Sequence, residues 1–167
     1  MEYFELIDKR YSVRGYKSDP VEDEKIKKIL EAGRIAPTAA NRQGFKILVI
    51  NTKGREDELR KIYNKDWFVT APVILGVCSI PEKCWVRYDG KNSSDVDAAI
   101  VMTHMILAAR DLGLGTCWIG AFNVEAAKEV LGIDDSMEPV AFTPLGYYDE
   151  AGVQKKRKPM EELVIYK

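Results

Sequence analysis

Two arginines bracket a serine in Arg10-Tyr11-Ser12-Val13-Arg14, the first place where side chains of this sequence could do chemistry. Arg10 and Arg14 fall on one side of the chain whether the segment is helical or extended. If it is extended, Ser12 joins them, and two guanidinium forks and a hydroxyl face one anion. Such forks suit phosphate because each donates two parallel, charge-assisted hydrogen bonds. Taken alone, the pair reads more readily as a solvated basic helix end, which the helix dipole favours.

A second cationic run, Lys155-Lys156-Arg157-Lys158, stands near the C-terminus. It could be a nucleic-acid or targeting patch. Its neighbours Asp149, Glu150, Glu161 and Glu162 are acidic, however, and no aromatic residues are interleaved to stack bases. Closing on the same anion as Arg10 and Arg14 is the economical use of both clusters. Between a helix and a strand, Pro37-Thr38-Ala39-Ala40-Asn41-Arg42-Gln43-Gly44 offers hydroxyl and amide groups that both donate and accept. A polyol chain or a pyrimidine-like ring edge needs that mixture, although Pro, Asn and Gly are also ordinary turn formers. The stretch Gly113-Leu114-Gly115-Thr116-Cys117-Trp118-Ile119-Gly120 suggests a dinucleotide fingerprint but has Trp118 where the third glycine belongs, and it follows a helix. A glycine-bearing strand beside large apolar residues still lets a flat ring lie on the backbone. Core packing is the alternative for Trp118.

Other chemistries find little support. Cys117 has no histidine near it in sequence, and a buried structural thiol is the commoner case. His104 sits in the most apolar helix and reads as a core histidine. No nucleophile-elbow, Walker or zinc spacing is present, and a single histidine disfavours a His-rich metal site.

The elements that must position these residues follow from composition and pattern. The chain has 167 residues, 46% hydrophobic and 31% charged, with a formal net charge of -1. These values predict one globular domain over 1–167 with no global field for nucleic acid or membrane. The odd set Cys78, Cys84 and Cys117 lacks CxxC spacing, which fits a reducing compartment. The most apolar stretch, Val96 to Leu112, is interrupted by Asp97, His104, Arg110 and Asp111, so no membrane span is expected. With no secretory-type leader at the start, a cytoplasmic location is expected.

The periodicities predict helices over Glu2–Lys9, from about Pro20 to Pro37, over Gly54–Tyr63, and from a cap at Ser94 or Asp95 to Leu112. A further short helix fits Val124–Leu131, closed by Gly132. Strands are expected at Phe45–Ile50, Pro72–Ser79 and Val140–Tyr147, a strand or turn at Gly115–Gly120, and a last strand at Leu163–Tyr166 that could pair with another subunit. The alternation indicates an α/β or α+β layered fold.

Together these segments resemble the nitroreductase-like family of FMN enzymes. The resemblance runs in order through RYSVRGY at 10–16, EAGRIAPTAANRQGFKILVI at 31–50, DVDAAIVMTHMILAARDLGLGTCWIGAF at 95–122, PLGYYDE, and KKRKPMEELV. It implies an α+β three-layer sandwich around a mainly antiparallel sheet, forming an intertwined homodimer with two interfacial FMN sites. It further implies that Arg10, Tyr11, Ser12 and Arg14 form the first FMN segment. Arg10 would hold the phosphate, and Arg14 would reach the N1/O2 edge of the ring. Pro37, Thr38, Ala39, Asn41 and Gln43 match a segment that the partner subunit supplies. Trp118, Ile119, Gly120 and Ala121 match the strand along which the ring lies, with a backbone N–H near N5. Lys155 and Arg157 match the tail that closes on the phosphate.

Under this resemblance NADH or NADPH reduces the flavin at N5 and a small-molecule acceptor, such as a nitroaromatic or quinone, reoxidises it in a ping-pong cycle. No side-chain catalytic base and no metal are expected, since the cofactor carries the chemistry. Two departures stand out. Some members carry glutamate where Gly120 stands, and the larger helical insertions around the substrate are missing, leaving Glu82–Ser93 as the source of substrate contacts. The alternative is a flavin-binding carrier or sensor that NAD(P)H cannot reduce.

Overall fold

The computed structural model describes residues 1–149 and 155–167; Glu150 at the end of PLGYYDE lies outside them. The helices are α1 (Tyr3–Lys9), α2 (Asp23–Arg34), α3 (Glu56–Ile62), α4 (Asp66–Thr70), α5 (Ser94–Asp111), α6 (Val124–Leu131) and α7 (Met160–Leu163). The strands are β1 (Phe45–Asn51), β2 (Val73–Ser79), β3 (Gly115–Thr116) and β4 (Glu138–Gly146). They form one four-stranded sheet in the order β1-β2-β4-β3, with every pair antiparallel. The fold is α+β.

Strand β2 explains the layering. Side chains alternate across a strand, so Val73, Leu75 and Val77 face a core shared with α2 and α5. Ile74 faces the opposite core, built with α3, α4 and α6. Both faces are covered, and every residue of β2 is buried. That is why the segment is continuously apolar instead of alternating.

Helix α5 fills the first core with Ala98, Val101, Met102, Met105, Ile106 and Ala109. It packs on α2, where Gly33 permits a close approach: a Cβ there would come within 2.9 Å of Ile47 and Met105. The N-terminal amine bonds Asp111 at 2.9 Å, tying α1 to the far end of α5. The opposite stripe of α5, with Val96, Ala99, Ile100, Thr103 and His104, lines a shallow depression of about 410 Å³. His104 is therefore half-exposed, not a core histidine. Val96 beside it is 52% exposed, while Ile100 is partly buried against the first core.

Several expectations are corrected. The cap of α5 is Ser93, and the Ser94 N–H donates to the Asn92 side chain at 2.8 Å. The strand after α5 stops at Thr116, and Ile119 adds only a bridge to Phe142. Within this chain Met160–Leu163 is a single helical turn and, among the described residues, 164–167 pair with no strand. Helix α4 had no sequence signal, its five residues being too few to show a period.

Gly76 lies under the Phe142 ring, where a Cβ would sit 2.7 Å from a ring carbon. Phe142 is itself held edge-on by Phe122 at 4.8 Å, so it has little room to move. Gly76→Ala is expected to destabilise the protein by about 1–3 kcal/mol through overpacking. Chemical denaturation followed by circular dichroism measures it.

Candidate functional site

Arg10 caps α1, and its N–H donates to the Leu6 carbonyl at 3.0 Å. From there the chain runs alongside β3. Ser12 forms a parallel bridge with Thr116, and the Val13 N–H donates to the Thr116 carbonyl at 2.9 Å. Gly115 makes this approach possible, since a Cβ would fall 2.6 Å from the Tyr148 ring and 3.0 Å from Val13. Tyr11 meets Tyr148 edge-on at 6.0 Å. The Arg110 guanidinium lies 6.0 Å from the centre of each ring and contacts the Tyr148 hydroxyl. Arg14 is turned back toward the Ser12 carbonyl at 3.4 Å, and its guanidinium lies 6.0 Å from the Trp67 ring centre.

The tail returns to this place. Burial lowers the pKa of Arg10, and the like charge of Arg157 lowers it further. Among the described residues no carboxylate offsets the pair. Like charges near each other favour an anion between them. Lys155 takes a different role: its ammonium donates to the Ile7 carbonyl at 3.0 Å and lies 3.5 Å from Asp8. It anchors the tail to the C-terminus of α1, where a cation satisfies the last carbonyls.

The strand residues after Cys117 complete this half. Ile119 points into the second core, and its backbone pairs with Phe142. Trp118 is 38% exposed, while Gly120 and Ala121 are open to solvent. A Cβ on Gly120 would meet only the Trp118 indole nitrogen, at 3.7 Å. The exposed strip is thus an indole beside bare backbone. Cys117 lies under the strip, and burial raises its pKa in spite of Arg14 and Arg10 nearby. All three cysteines are buried and free, and burial pushes Cys78 up to about 11. None has the exposed, electropositive surroundings of a reactive thiol.

The Pro37–Gln43 segment lies elsewhere. Ala40, Asn41 and Gln43 have φ values of 50°, 52° and 52°, a left-handed conformation uncommon outside glycine. Thr38 steadies the turn by accepting from the Gln43 N–H at 3.0 Å. The Ala39 N–H donates to the Asp97 carboxylate at 2.9 Å, which places the loop at the N-terminal end of α5. β3 leaves the C-terminal end, where the Leu114 N–H donates to the Ala109 carbonyl at 2.9 Å. Asp97 and Ala109 are roughly 18 Å apart at about 1.5 Å per residue. One chain therefore unites the first segment, the 118–121 strip and the tail, and keeps Pro37–Gln43 apart from them.

Beside that loop stands a hairpin. The Ser93 N–H donates to the Trp85 carbonyl and the Arg87 N–H to the Lys91 carbonyl, both at 2.9 Å. With Ala39, Val96 and Asp97, its residues Trp85, Arg87 and Lys91 enclose a pocket of about 230 Å³. A larger cavity, about 890 Å³, lies between the starts of α2 and α3 and the end of β1 and is lined by none of these residues.

Trp67 and Asp97 escaped sequence analysis as site residues. Trp67 lies in the unrecognised helix α4, and Asp97 looked like a break in an apolar run. An acid inside an otherwise buried helix was the available signal. Among the described residues no group of acids, cysteines and histidine is arranged to hold a metal, and no helix is long and apolar enough to cross a membrane.

Fold and sequence together place the chain among known proteins. The Nitroreductase family profile matches residues 7–72 and 60–147, and the chain belongs to that family. A nitroreductase family protein of Clostridium difficile 630 is 38% identical, with a TM-score of 0.92 over 99% of this chain and 98% of that one. One from Clostridium novyi NT is 31% identical, with a TM-score of 0.81 over 90% of this chain and 87% of that one. A Staphylococcus aureus protein named NADPH-dependent oxidoreductase is 25% identical over 96% of this chain and 71% of its own length.

The family's implied flavin mononucleotide fits what is here. The unoffset Arg10–Arg157 pair suits its phosphate, and the Trp118–Gly120–Ala121 strip suits a flat ring. If the pair is an anion site, inorganic phosphate at tenfold its Kd should stabilise the protein by about 1.4 kcal/mol. Thermal melting against chloride at equal ionic strength measures this. In Arg157→Ala the gain should fall by more than half, while any general salting effect persists.

Proposed function

We propose that the chain is an FMN-dependent oxidoreductase that takes electrons from NADH or NADPH and passes them to a small organic acceptor, a nitroaromatic or a quinone. The observation that carries this reading is the Arg10–Arg157 pair, left without an acid beside an exposed strip of indole and glycine backbone. Family membership and the oxidoreductase names of relatives support it.

When bound, the flavin supplies the redox chemistry, accepting hydride and returning electrons. The chain's own residues bind and tune. Arg10 and Arg157 hold the phosphate, and Ser12 adds a hydroxyl. Trp118, Gly120 and Ala121 give the ring a surface, and Arg14, kept in place by Trp67, sets a positive charge near the ring edge. Thr38, Asn41 and Gln43 present polar groups from the second subunit. Trp85, Arg87 and Lys91 line the space beside that loop where an acceptor enters. Donor and acceptor use one open site in turn, which is the ping-pong order.

A homodimer is part of this reading. Phe4 is 79% exposed, Ile165 81% and Tyr166 91%, and β1 is an unpaired sheet edge in this chain. A tail of β-forming residues that finds no edge at home is suited to one on a partner.

The purified protein should be yellow, bleach on anaerobic addition of NADH or NADPH, and regain colour with a quinone. A yellow protein that neither nucleotide bleaches would instead be a carrier. Arg14→Ala should lower the midpoint potential of the bound flavin by about 30 mV or more, the equivalent of a tenfold change for two electrons. Potentiometric titration measures the shift, and an unchanged potential would remove Arg14 from this role.

A further inference from the structure

Asp97 is a carboxylate with 2% exposure in a helix whose other buried residues are apolar. Nothing in the packing of α5 on the sheet calls for a charge, and burying one is costly unless it is fully hydrogen-bonded. Both of its oxygens are engaged. Oδ1 accepts from the Ala39 N–H at 2.9 Å, and Oδ2 accepts from the Ser93 hydroxyl at 3.0 Å. Ala39 opens the turn in which Ala40, Asn41 and Gln43 are all left-handed. The turn is otherwise held at Thr38 and through the Gly44 carbonyl, which accepts from the Ile80 N–H at 2.7 Å. Asp97 is the charged restraint among these and the one fixed to the helical spine. Its place near the start of α5 is favoured by the helix dipole.

We infer that Asp97, braced by Ser93, is the positioning residue that fixes the strained 38–43 loop in its cofactor-binding form and so sets flavin affinity without touching the flavin. The inference rests on the FMN reading above. Because that loop serves the partner's site, Asp97 acts across the subunit boundary.

The test uses the full-length protein and measures the Kd for FMN by flavin fluorescence, well below the melting transition of each variant. Asp97→Ala should raise the Kd about tenfold or more, as expected for losing a charge-assisted hydrogen bond and its restraint. Asp97→Asn keeps an acceptor for Ala39 and can donate to Ser93, so it should stay within about threefold of wild type. A purely structural acid would lower the melting temperature in Asp97→Ala and leave the Kd alone, which overturns the inference, as does Asn behaving like Ala. Should Asp97→Ala fail to fold, Ser93→Ala must still raise the Kd, and no change there overturns the inference. Amide exchange at Ala39 provides a second readout without cofactor. It should quicken in Asp97→Ala or, if that variant is unfolded, in Ser93→Ala, and an unchanged rate counts against Asp97. Wild-type protein that binds no FMN would defeat the functional reading alone, with exchange at Ala39 still deciding the role of Asp97.

Discussion

The packing of α5 against β2 and β4 fixes both halves of the candidate site. Val101, Met102 and Met105 are fully buried in that contact with Leu75, Ala141 and Leu145. A helix seated this way cannot slide or rotate without opening a close-packed core. Its N-terminal end carries Asp97 and through it the Ala39 loop; its C-terminal end leads through Leu114 into β3, against which Ser12 and Val13 are laid. The separation of the two sets is therefore built into the core and is not an accident of loop conformation.

Charge supplies the second constraint. Several surface cations of this chain have acids close by, as in Arg34 with Glu31, Arg87 with Asp89 and Lys128 with Glu138. Such pairs contribute little to stability, but they show how readily this sequence neutralises its own charges. Arg10 and Arg157 depart from that pattern, and the tail is brought to Arg10 by the contact of Lys155 with the end of α1. Under the proposed reading, a bound anion would relieve the like charge that Arg157 places on Arg10.

Much of this was legible in the sequence. The strands β1 and β2, the central helix and the Gly132 stop of α6 could be read because periodicity and composition are local properties, although β1 is a half-exposed edge and not a buried strand. The grouping of Arg10 with Arg157 could be argued as well, since both stood as cations in search of one anion. The role of Lys155 could not, because its partners, the Ile7 carbonyl and Asp8, depend on the path of the tail. Asp97 was visible only as an interruption, and its contact with Ala39 spans 58 positions. The tail's residues favour β structure, but whether a strand forms depends on an edge that pairs with it, and within this chain 164–167 pair with none among the described residues.

The division of the site has a consequence for assembly. A cofactor wide enough to touch the Arg10 cluster and the Ala39 loop cannot do so within one subunit, given the length of α5 between them. Two copies related by a two-fold axis, with their α5 helices antiparallel, would place the N-terminal end of each beside the C-terminal end of the other. Such an isologous contact is self-complementary and closed, so both sites would be completed at once. The half-exposed stripe of Val96, Ala99, Ile100 and His104 lies on the helix that this arrangement would pair. The exposed tail and the open edge of β1 would add a second exchange in the same sense. Under the proposed function, cofactor binding and association would be one event: whatever holds the Ala39 loop in one subunit would be felt as affinity in the other.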